Sequence, residues 1–414
     1  MFAKIKANPL PVVLFTVFID LLGYGILIPV IPQLLANPRS EFYLLPEGFT
    51  VQQGYILLGF LTAIFPFMQF IATPILGQFS DKFGRKKILG ISLAGTCLSY
   101  IIFAIGIITK NITVLFLARG FDGITGGNIS VAQAALADVT KPENRTKTFG
   151  LMGAAFGIGF IIGPFLGGKL SDPSVVSWFN ASTPFWFAAI LSGLNVLSII
   201  FVFPETNMHR QHTLRINWIK SIKNIIHAYG LKNLRPLFAT NFLFQGGFAF
   251  YTTFAAVFFI NRFHFTQGNI GDFFAYVGLW IAITQGLITR KVSKKLNEHQ
   301  VLRFSMFMCG VVLLFYFSAQ QPWQMLFISP LFAIFMGLSQ ANMAGLISRS
   351  AGPEIQGEVM GINSSVQALA QTIPAALSGY VAAGMGANTP VITAASIIMS
   401  AAVFFWLTVK QKPI

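Results

Sequence analysis

Apolar runs of about 20 residues recur along nearly the whole chain, and a helix of that length crosses a hydrocarbon core about 30 Å thick. Of the 414 residues, 54% are hydrophobic and only 10% are charged, which excludes a water-soluble fold. The pattern predicts twelve membrane spans, at residues 12–35, 53–77, 88–108, 113–137, 148–170, 184–203, 236–260, 270–289, 301–319, 323–347, 358–383 and 389–409.

The distribution of basic residues predicts how these spans are oriented. Of the 28 Lys and Arg, 23 fall in loops on the side of the two termini. Four fall on the other side (Arg39, Lys110, Lys169 and Arg262), and Arg119 lies within a span. This asymmetry follows the positive-inside rule and places both termini in the cytoplasm. The net charge of +15 therefore indicates contact with a lipid bilayer and no nucleic-acid partner.

A polar, basic stretch divides the spans into two sets of six. The predicted units are an N-terminal half (1–204), a cytoplasmic central loop (205–234) and a C-terminal half (235–414). Shifting one half over the other by 211 residues matches Gly150 with Gly361 and Gly168 with Gly379. We therefore predict an all-α polytopic membrane protein with twelve transmembrane helices in two pseudo-symmetric six-helix halves. Such an architecture implies a substrate site near the membrane midplane and alternating access.

A dense charged segment, Gly77-Gln-Phe-Ser-Asp-Lys-Phe-Gly-Arg-Lys-Lys87, joins the second and third spans. Hydrocarbon cannot solvate these charges, so the segment must form a short aqueous loop. Anchoring explains its lysines but does not explain Asp81. A shift of 213 residues lays the segment over 290–298, where Lys294 replaces Asp81 and Asn297 replaces Gly84. Because Asn tolerates the left-handed conformation, we expect the turn to persist there.

Three charged residues, Asp20, Arg119 and Asp122, lie within predicted spans. A charge at the bilayer centre costs about 2.5–3.5 kcal/mol on insertion scales, so each is a candidate functional residue. Arg119 and Asp122 are three residues apart and can pair along a helix, and Asp20 can approach the same arginine across the cavity. Burial and a neighbouring arginine act on an acid in opposite directions, which can poise it for proton exchange. A static ion pair is the alternative.

Polar residues also mark the surfaces that should face a central cavity. In the fourth span, Arg119, Asp122, Gly126, Ser130 and Gln133 fall within an arc of about 80° on an otherwise apolar helix. The candidate polar groups of the substrate cavity are Gln69, Ser130, Gln133, Asn241, Gln245, Asn363 and Gln367.

Four motifs identify the family that the chain resembles. They are the Gly77–Lys87 segment, Leu22–Pro32 in helix 1, Leu117–Gly127 in helix 4 and Gly159–Gly168 in helix 5. With them the chain resembles the twelve-helix drug/proton antiporters of the major facilitator superfamily, and within these the tetracycline/proton antiporter group.

The resemblance implies roles for three sets of residues. Asp20 and Arg119 would serve proton and substrate coupling, as the helix 1 acid and helix 4 arginine do in that family. Asp81 would face the N-terminus of helix 11 near Gly357, where free N–H groups favour an anion, and Arg85 would pair with Asp138. The resulting cytoplasmic gate comprises Gly77, Asp81, Gly84, Arg85 and Asp138.

The helix 5 motif contains Gly159, Gly163, Pro164, Gly167 and Gly168. Small residues four apart allow helices to approach closely, so ordinary packing is one interpretation. The resemblance favours another, a pliable interface between the halves that is associated with antiport.

The chain departs from the tetracycline pumps at two positions. That group places a histidine in helix 8 and an acid in helix 9, but Ile281 and Cys309 stand there. This argues against tetracycline as the substrate and leaves titratable coupling to the first half.

We therefore expect a proton-coupled exporter of an amphipathic small molecule in a bacterial cytoplasmic (inner) membrane. We expect it to act as a monomer without cofactor or metal. An importer or facilitator of a metabolite shares this fold. A polytopic membrane enzyme is a further alternative, although the sequence contains neither H-E-x-x-H nor G-x-S-x-G.

Overall fold

The computed structural model describes residues 9–140, 145–208, 216–351 and 355–409, and all regular secondary structure in these ranges is helical. In chain order the α-helices are α1 (Leu10–Leu35), α2 (Val51–Phe83), α3 (Arg85–Ile108), α4 (Ile112–Thr125), α5 (Ile129–Val139), α6 (Arg145–Leu170), α7 (Thr183–Phe201), α8 (Lys220–Gly230), α9 (Arg235–Phe263), α10 (Gln267–Ile283), α11 (Thr289–Val292), α12 (Glu298–Phe315), α13 (Met325–Ser350), α14 (Gln356–Met385) and α15 (Thr389–Thr408).

The predicted spans all correspond to helices. Within the described residues, ten helices are long and apolar enough to cross a membrane. The fourth span is divided into α4 and α5 by a 3-10 turn at Gly126–Asn128, and the eleventh, α14, is 30 residues long but richer in polar side chains. The eighth span continues from α10 through a π-helical turn at Thr284–Ile288 into α11. The prediction of an all-helical chain with twelve transmembrane helices in two halves is confirmed.

The charged segment after the second span forms a one-residue turn, not the short loop that we expected. Asp81 lies in the last turn of α2 and Arg85 is the first residue of α3, so only Gly84 separates the helices. Gly84 has φ +103°, a conformation that favours glycine. The expectation for the second copy is wrong: Asn297 has φ −80° and caps α12 by accepting a hydrogen bond from the backbone N–H of Gln300. The degenerate copy thus uses a helix N-cap where the first uses a glycine turn.

The helix ends define two faces of the bundle. We call the end that carries Gly84 and the start of α1 the basic face, and the other end the opposite face. Two pairs of helices from different halves touch near the opposite face, α2 with α14 and α6 with α10.

Glycine permits both of these contacts. A Cβ atom added to Gly59 of α2 would lie 2.8 Å from the carbonyl oxygen of Ala375 and 3.0 Å from the backbone nitrogen of Gly379, both in α14. A Cβ atom on Gly168 of α6 would lie 2.5 Å from the carbonyl oxygen of Gln267 and 3.0 Å from the Cα atom of Gly271. These backbones therefore meet with no room for side chains between them.

Side chains reinforce each glycine contact. The rings of Phe60 and Tyr380 pack edge to face beside the first, with centroids 5.7 Å apart. The Lys169 Nζ atom lies 2.8 Å from the Asp272 Oδ2 atom beside the second. The halves are therefore held together near the opposite face by backbone packing, an aromatic pair and a partly exposed ion pair.

The same helix pairs separate toward the basic face. Gly77 and Gly361 lie five helical turns, about 27 Å, from Gly59 and Gly379 along the same faces of α2 and α14. Within the described residues, a Cβ atom on Gly361 would meet nothing within 4 Å, and one on Gly77 would meet only Ser130 of its own half. Open space likewise faces Gly153 and Gly157 of α6. The halves thus form a V that is closed at the opposite face and open at the basic face.

The two closed contacts are related by the internal duplication. A shift of 211 residues superposes Gly168 on Gly379, and a shift of 212 superposes Gly59 on Gly271. One ancestral contact between two helices is therefore made twice, once on each side of the molecule.

Replacing Gly379 with Leu should open the closed end, because the new side chain would overlap the Tyr55 carbonyl oxygen, which lies 2.6 Å from the position of an added Cβ atom. Such overpacking costs about 1–3 kcal/mol and should favour the state in which the basic face is closed. Spin labels at Leu151→Cys and Leu287→Cys, on the basic-face parts of α6 and the eighth span, should move closer together. The matched control is Gly361→Leu, which faces open space; if both variants gave the same distance distribution, the V-shaped closure would be wrong.

Candidate functional site

A buried ion pair lies in the middle of the first half. The Arg119 Nη1 atom donates to the Asp122 Oδ2 atom at 2.7 Å, and the side chains are only 5% and 6% exposed. The guanidinium also stacks 4.4 Å from the centroid of the Phe65 ring, a favourable cation–π geometry. The three-residue spacing on α4 brings the charges together. Arg119 Nε has no hydrogen-bond partner among the described residues, so this N–H donor is available to a ligand.

The helical break one turn after this pair has a local cause. Glycines at 126 and 127 weaken the helix, and the backbone tightens into the 3-10 turn Gly126–Asn128. The Gln69 side chain donates to the carbonyl oxygen of Gly126 at 2.9 Å, and Ser130 Oγ donates to the carbonyl oxygen of Thr73 at 3.1 Å. Two predicted cavity residues therefore bind backbone groups, Gln69 at the break itself and Ser130 on the neighbouring helix α2.

The break positions Asn128 against Asp20. The Asn128 Nδ2 atom lies 3.4 Å from the Asp20 Oδ1 atom, and Asn128 is fully buried. Asp20 Oδ2 and Asn128 Oδ1 are both buried without a hydrogen-bond partner in the described part of the chain. The expected approach of Asp20 to Arg119 is replaced by this contact. Asn128 was missed because the predicted stripe assumes an unbroken helix, although an Asn after two glycines in an apolar span was a usable signal.

A small central cavity lies next to the ion pair, between the halves. Its volume is about 30 Å³, and its walls combine polar groups with an aliphatic surface. The polar and aromatic lining residues are Tyr24, Thr62, Arg119, Thr252 and Thr253. A volume of this size admits water but no drug-sized molecule, so a larger ligand requires the helices to move.

The remaining predicted cavity residues are in varied positions. The Asn241 Nδ2 atom donates to the Asn363 Oδ1 atom at 2.8 Å, a buried amide pair between α9 and α14. Gln133, Gln245 and Gln367 are half-buried. These polar groups therefore lie on several helices, away from the small cavity next to Arg119.

The predicted gate residues form a cluster at the basic face. Arg85 Nη1 donates to Asp81 Oδ1 at 2.6 Å and Arg85 Nε donates to Asp138 Oδ2 at 3.1 Å. Arg85 is 9% exposed at its side chain and Asp81 is 40% exposed. All of these groups belong to the first half.

The first residues of the central loop (205–234) form hydrogen bonds with this cluster. Glu205 Oε1 accepts from the backbone N–H of Arg85 at 2.9 Å, and Thr206 Oγ1 donates to Asp138 Oδ2 at 3.2 Å. Asn207 Nδ2 donates to the Asp81 carbonyl oxygen at 3.1 Å. The family resemblance implies that Asp81 faces the start of α14 near Gly357. Among the described side chains, the Asp81 carboxylate makes no contact with that part of α14. The side chain of position 357 is not among those described.

The helix 5 motif lies at a junction of three helices. Cβ atoms on Gly159, Gly163 and Gly167 would lie 2.6–2.8 Å from backbone carbonyl oxygens of α1. Gly168 and the carbonyl oxygen of Pro164 face α10, and that oxygen lies 2.6 Å from the position of a Cβ atom on Gly271, while the Pro164 ring lies against Gly25 of α1. The motif thus packs α6, the fifth span, against α1 on one side and against α10 of the other half on the adjacent side.

Replacing Asp122 with Asn should destabilise the protein by about 3–5 kcal/mol, because it leaves Arg119 charged and buried without its carboxylate. Thermal unfolding of the purified protein in detergent would measure the loss. In the matched control, Asp272→Asn breaks a partly exposed ion pair and should cost less than about 1 kcal/mol. Equal losses would mean that burial of the Arg119–Asp122 pair does not matter.

Comparison with known proteins places this geometry in a family. The sequence model of the Major Facilitator Superfamily matches residues 13–374 and, in a second match, 237–414. The tetracycline resistance protein of class H from Pasteurella multocida is 33% identical over 357 residues, covering 84% of this chain and 83% of that protein. Multidrug resistance protein 2 of Bacillus subtilis is 27% identical over 377 residues, covering 89% and 87%.

The fold is likewise shared with solved transporters. A crystal structure of a D-xylose–proton symporter superposes with a TM-score of 0.77 at 15% identity, covering 97% of this chain and 98% of that one. Sequence and fold agree over nearly the whole length, and the chain belongs to the Major Facilitator Superfamily.

Proposed function

We propose that this chain is a proton-coupled exporter of amphipathic small molecules that works by alternating access. Its similarity to tetracycline and multidrug resistance proteins supports export, and the Asp20–Asn128 contact is the observation that supports coupling. The loss of the helix 9 acid at Cys309 argues against tetracycline itself. We propose transport and no enzymatic reaction.

The Asp20–Asn128 contact is suited to both protonation states of the acid. When Asp20 is charged, its Oδ1 atom accepts from the Asn128 amide nitrogen. When it is protonated, its hydroxyl needs an acceptor, and rotation of the Asn128 amide presents Oδ1, which is now unpaired. The neighbour can therefore serve as donor or acceptor, so that neither state leaves Asp20 without a partner.

The neighbouring Arg119 connects this acid to the central cavity. Arg119 lines the cavity and Asn128 lies on the helical break that follows the Arg119–Asp122 pair. A substrate that engages the free Nε donor of Arg119 would disturb the pair and, through the break, the position of Asn128. In this mechanism substrate binding and proton release at Asp20 are linked by one segment of helix.

We further propose that the basic face is cytoplasmic in a bacterial inner membrane and that a monomer is sufficient for transport. The excess of Lys and Arg on that face supports the orientation. The open V then represents an inward-facing state, in which substrate enters from the cytoplasm or the inner leaflet. Proton uptake from the other side would accompany the opposite state.

The gate cluster would act when the halves reverse. In the state described, Arg85 holds Asp81 and Asp138 within the first half. Closing the V would bring α14 toward α2, where the N-terminus of α14 favours the Asp81 carboxylate. We propose that Asp81 then stabilises the closed basic face, with Gly77 and Gly84 allowing the close approach.

Replacing Asp20 with Asn should abolish proton-driven transport while leaving the folded protein intact, because an amide cannot exchange a proton. Candidate amphipathic compounds would first be found by thermal stabilisation of the purified protein. Their transport would then be measured in proteoliposomes with and without an imposed pH gradient. Coupled transport by the Asp20→Asn variant would disprove the assignment.

Two controls separate coupling from binding and from direction. The Asp20→Asn variant should still bind the compound and exchange it between equal pools, since neither process requires net proton movement. Accumulation in inside-out vesicles, but not in right-side-out vesicles, is expected of an exporter. The reverse result would support an importer.

Replacing Asp81 with Asn should shift the molecule toward the open basic face, because the neutral amide interacts more weakly with the N-terminus of α14. Spin labels at Leu151→Cys and Leu287→Cys would report a larger share of long distances. Glu47→Gln, exposed in the α1–α2 connection at the opposite face, serves as the control and should leave the distribution unchanged. An unchanged distribution in Asp81→Asn would refute the gate.

A further inference from the structure

The short helix α8, in the central loop (205–234), lies against the basic-face parts of α2 and α14, one helix from each half. Ser221 Oγ donates to the carbonyl oxygen of Ile71 in α2 at 3.3 Å, and Asn224 Nδ2 donates to Ser365 Oγ in α14 at 3.2 Å. His227 Nδ1 lies 2.9 Å from Glu358 Oε1, also in α14. Ser221 and Ala228 are buried. This side of α8, which we call its protein face, is occupied by the transporter itself.

A second side of α8 is apolar and uncovered. Ile219, just before the helix, is 53% exposed, and Ile222, Ile226 and Tyr229 are 55%, 67% and 71% exposed. At 100° per residue these four positions fall within an arc of about 80°, which we call the apolar face. Four large hydrophobic side chains on one side of a three-turn helix are unfavourable in water and indicate a binding surface.

The third side of α8 is basic. Lys220 and Lys223 are both exposed and follow the apolar face around the helix. Two further cations, Lys232 and Arg235, come just after the helix, and the Arg235 guanidinium lies 4.8 Å from the centroid of the Tyr229 ring. The helix therefore has three faces of similar width, suited to protein, to an apolar medium and to an anionic or aqueous one.

The apolar face continues the surface that the transmembrane helices expose to lipid. Ile71, whose carbonyl oxygen binds Ser221, has an exposed side chain, as does Phe67 one turn earlier in α2. Trp218 precedes α8, is 64% exposed and packs edge to face on Phe79 of α2 at 5.9 Å. Aromatic residues with a polar edge are typical of the membrane interface.

We propose that α8 lies in the headgroup region of an anionic leaflet, with its apolar face inserted at the acyl boundary and its basic side chains against lipid phosphates. Continuity with the lipid-facing surface and the local excess of cations support a bilayer as the occupant rather than a soluble partner. This proposal depends on the proposed orientation in one respect, because it takes the cytoplasmic leaflet to be the anionic one. Because α8 is also hydrogen-bonded to α2 and α14, the lipid that holds α8 would contribute to the contact between the two halves.

Fluorescence quenching in nanodiscs would test this placement. In the full chain with Cys97→Ser and Cys309→Ala, an environment-sensitive fluorophore would be attached at Ile226→Cys on the apolar face. The nanodiscs would contain phosphatidylcholine and phosphatidylglycerol, with or without bromine on the acyl chains. Brominated lipid should quench this label several-fold more than a label at Lys223→Cys on the basic face, because insertion is about 5–10 Å deep. Leu377→Cys, exposed on α14, is the lipid-contact reference that shows the protein is folded and inserted.

Two outcomes would overturn the proposal. Equal bromine quenching at positions 226 and 223, with strong quenching of both by aqueous iodide, would mean that α8 lies in water or binds a soluble partner. Unchanged quenching at position 226 in pure phosphatidylcholine, or after Lys220→Glu with Lys223→Glu, would disprove the role of anionic lipid. The measurement uses no substrate and no pH gradient, so absent transport would count against the proposed function alone.

Discussion

Hydrocarbon offers no hydrogen bonds, so every charged or polar group inside this protein must find its partner within the chain. This constraint explains where the interior polar groups lie. Arg119 pairs with Asp122, Asn241 with Asn363, and Gln69 with a carbonyl released by the break in the fourth span. Seven buried polar atoms of the described residues have no such partner. Three of them, on Asp20, Asn128 and Arg119, form one neighbourhood in the first half, and the other four lie in the second half on Tyr251, Arg303, Tyr316 and Ser329. The three in the first half are the ones that the proposed coupling uses.

Hydropathy was sufficient to predict the twelve spans and their grouping into two halves, because burial in lipid requires long apolar helices. It could not predict the break at Gly126–Asn128, since the turn is held by groups of the neighbouring helix α2, the Gln69 amide and the Thr73 carbonyl oxygen that accepts from Ser130. Asn128 contacts Asp20, although an ideal helical wheel places it on the side of the span opposite Arg119, away from the predicted stripe. For the same reason Gln69 and Ser130, predicted to line a cavity, bind the backbone.

Sequence similarity between the halves carried more information about packing than about charge. The glycine contacts Gly59–Gly379 and Gly168–Gly271 follow the duplication, whereas the second copy of the charged segment has lost both its acid and its glycine turn. Backbone proximity is needed on both sides of the V, so both copies keep their glycines. The Asp81 acid is present on one side only; at the matching place the second half has a capped helix and an ion pair with the charges exchanged, between Glu298 at the start of α12 and Arg349 at the end of α13.

Helix α8 makes the two sides of the open V unequal. It bridges α2 and α14, whereas no described residue lies within 4 Å of an added Cβ atom at Gly150, Gly153 or Gly157 on the α6 side. In the proposed inward-facing state, a solute dissolved in the adjoining leaflet would therefore reach the site between α6 and α10 and not between α2 and α14. For such a solute, the concentration that matters is the one in the membrane, and its partition coefficient would govern supply as strongly as its affinity for the site.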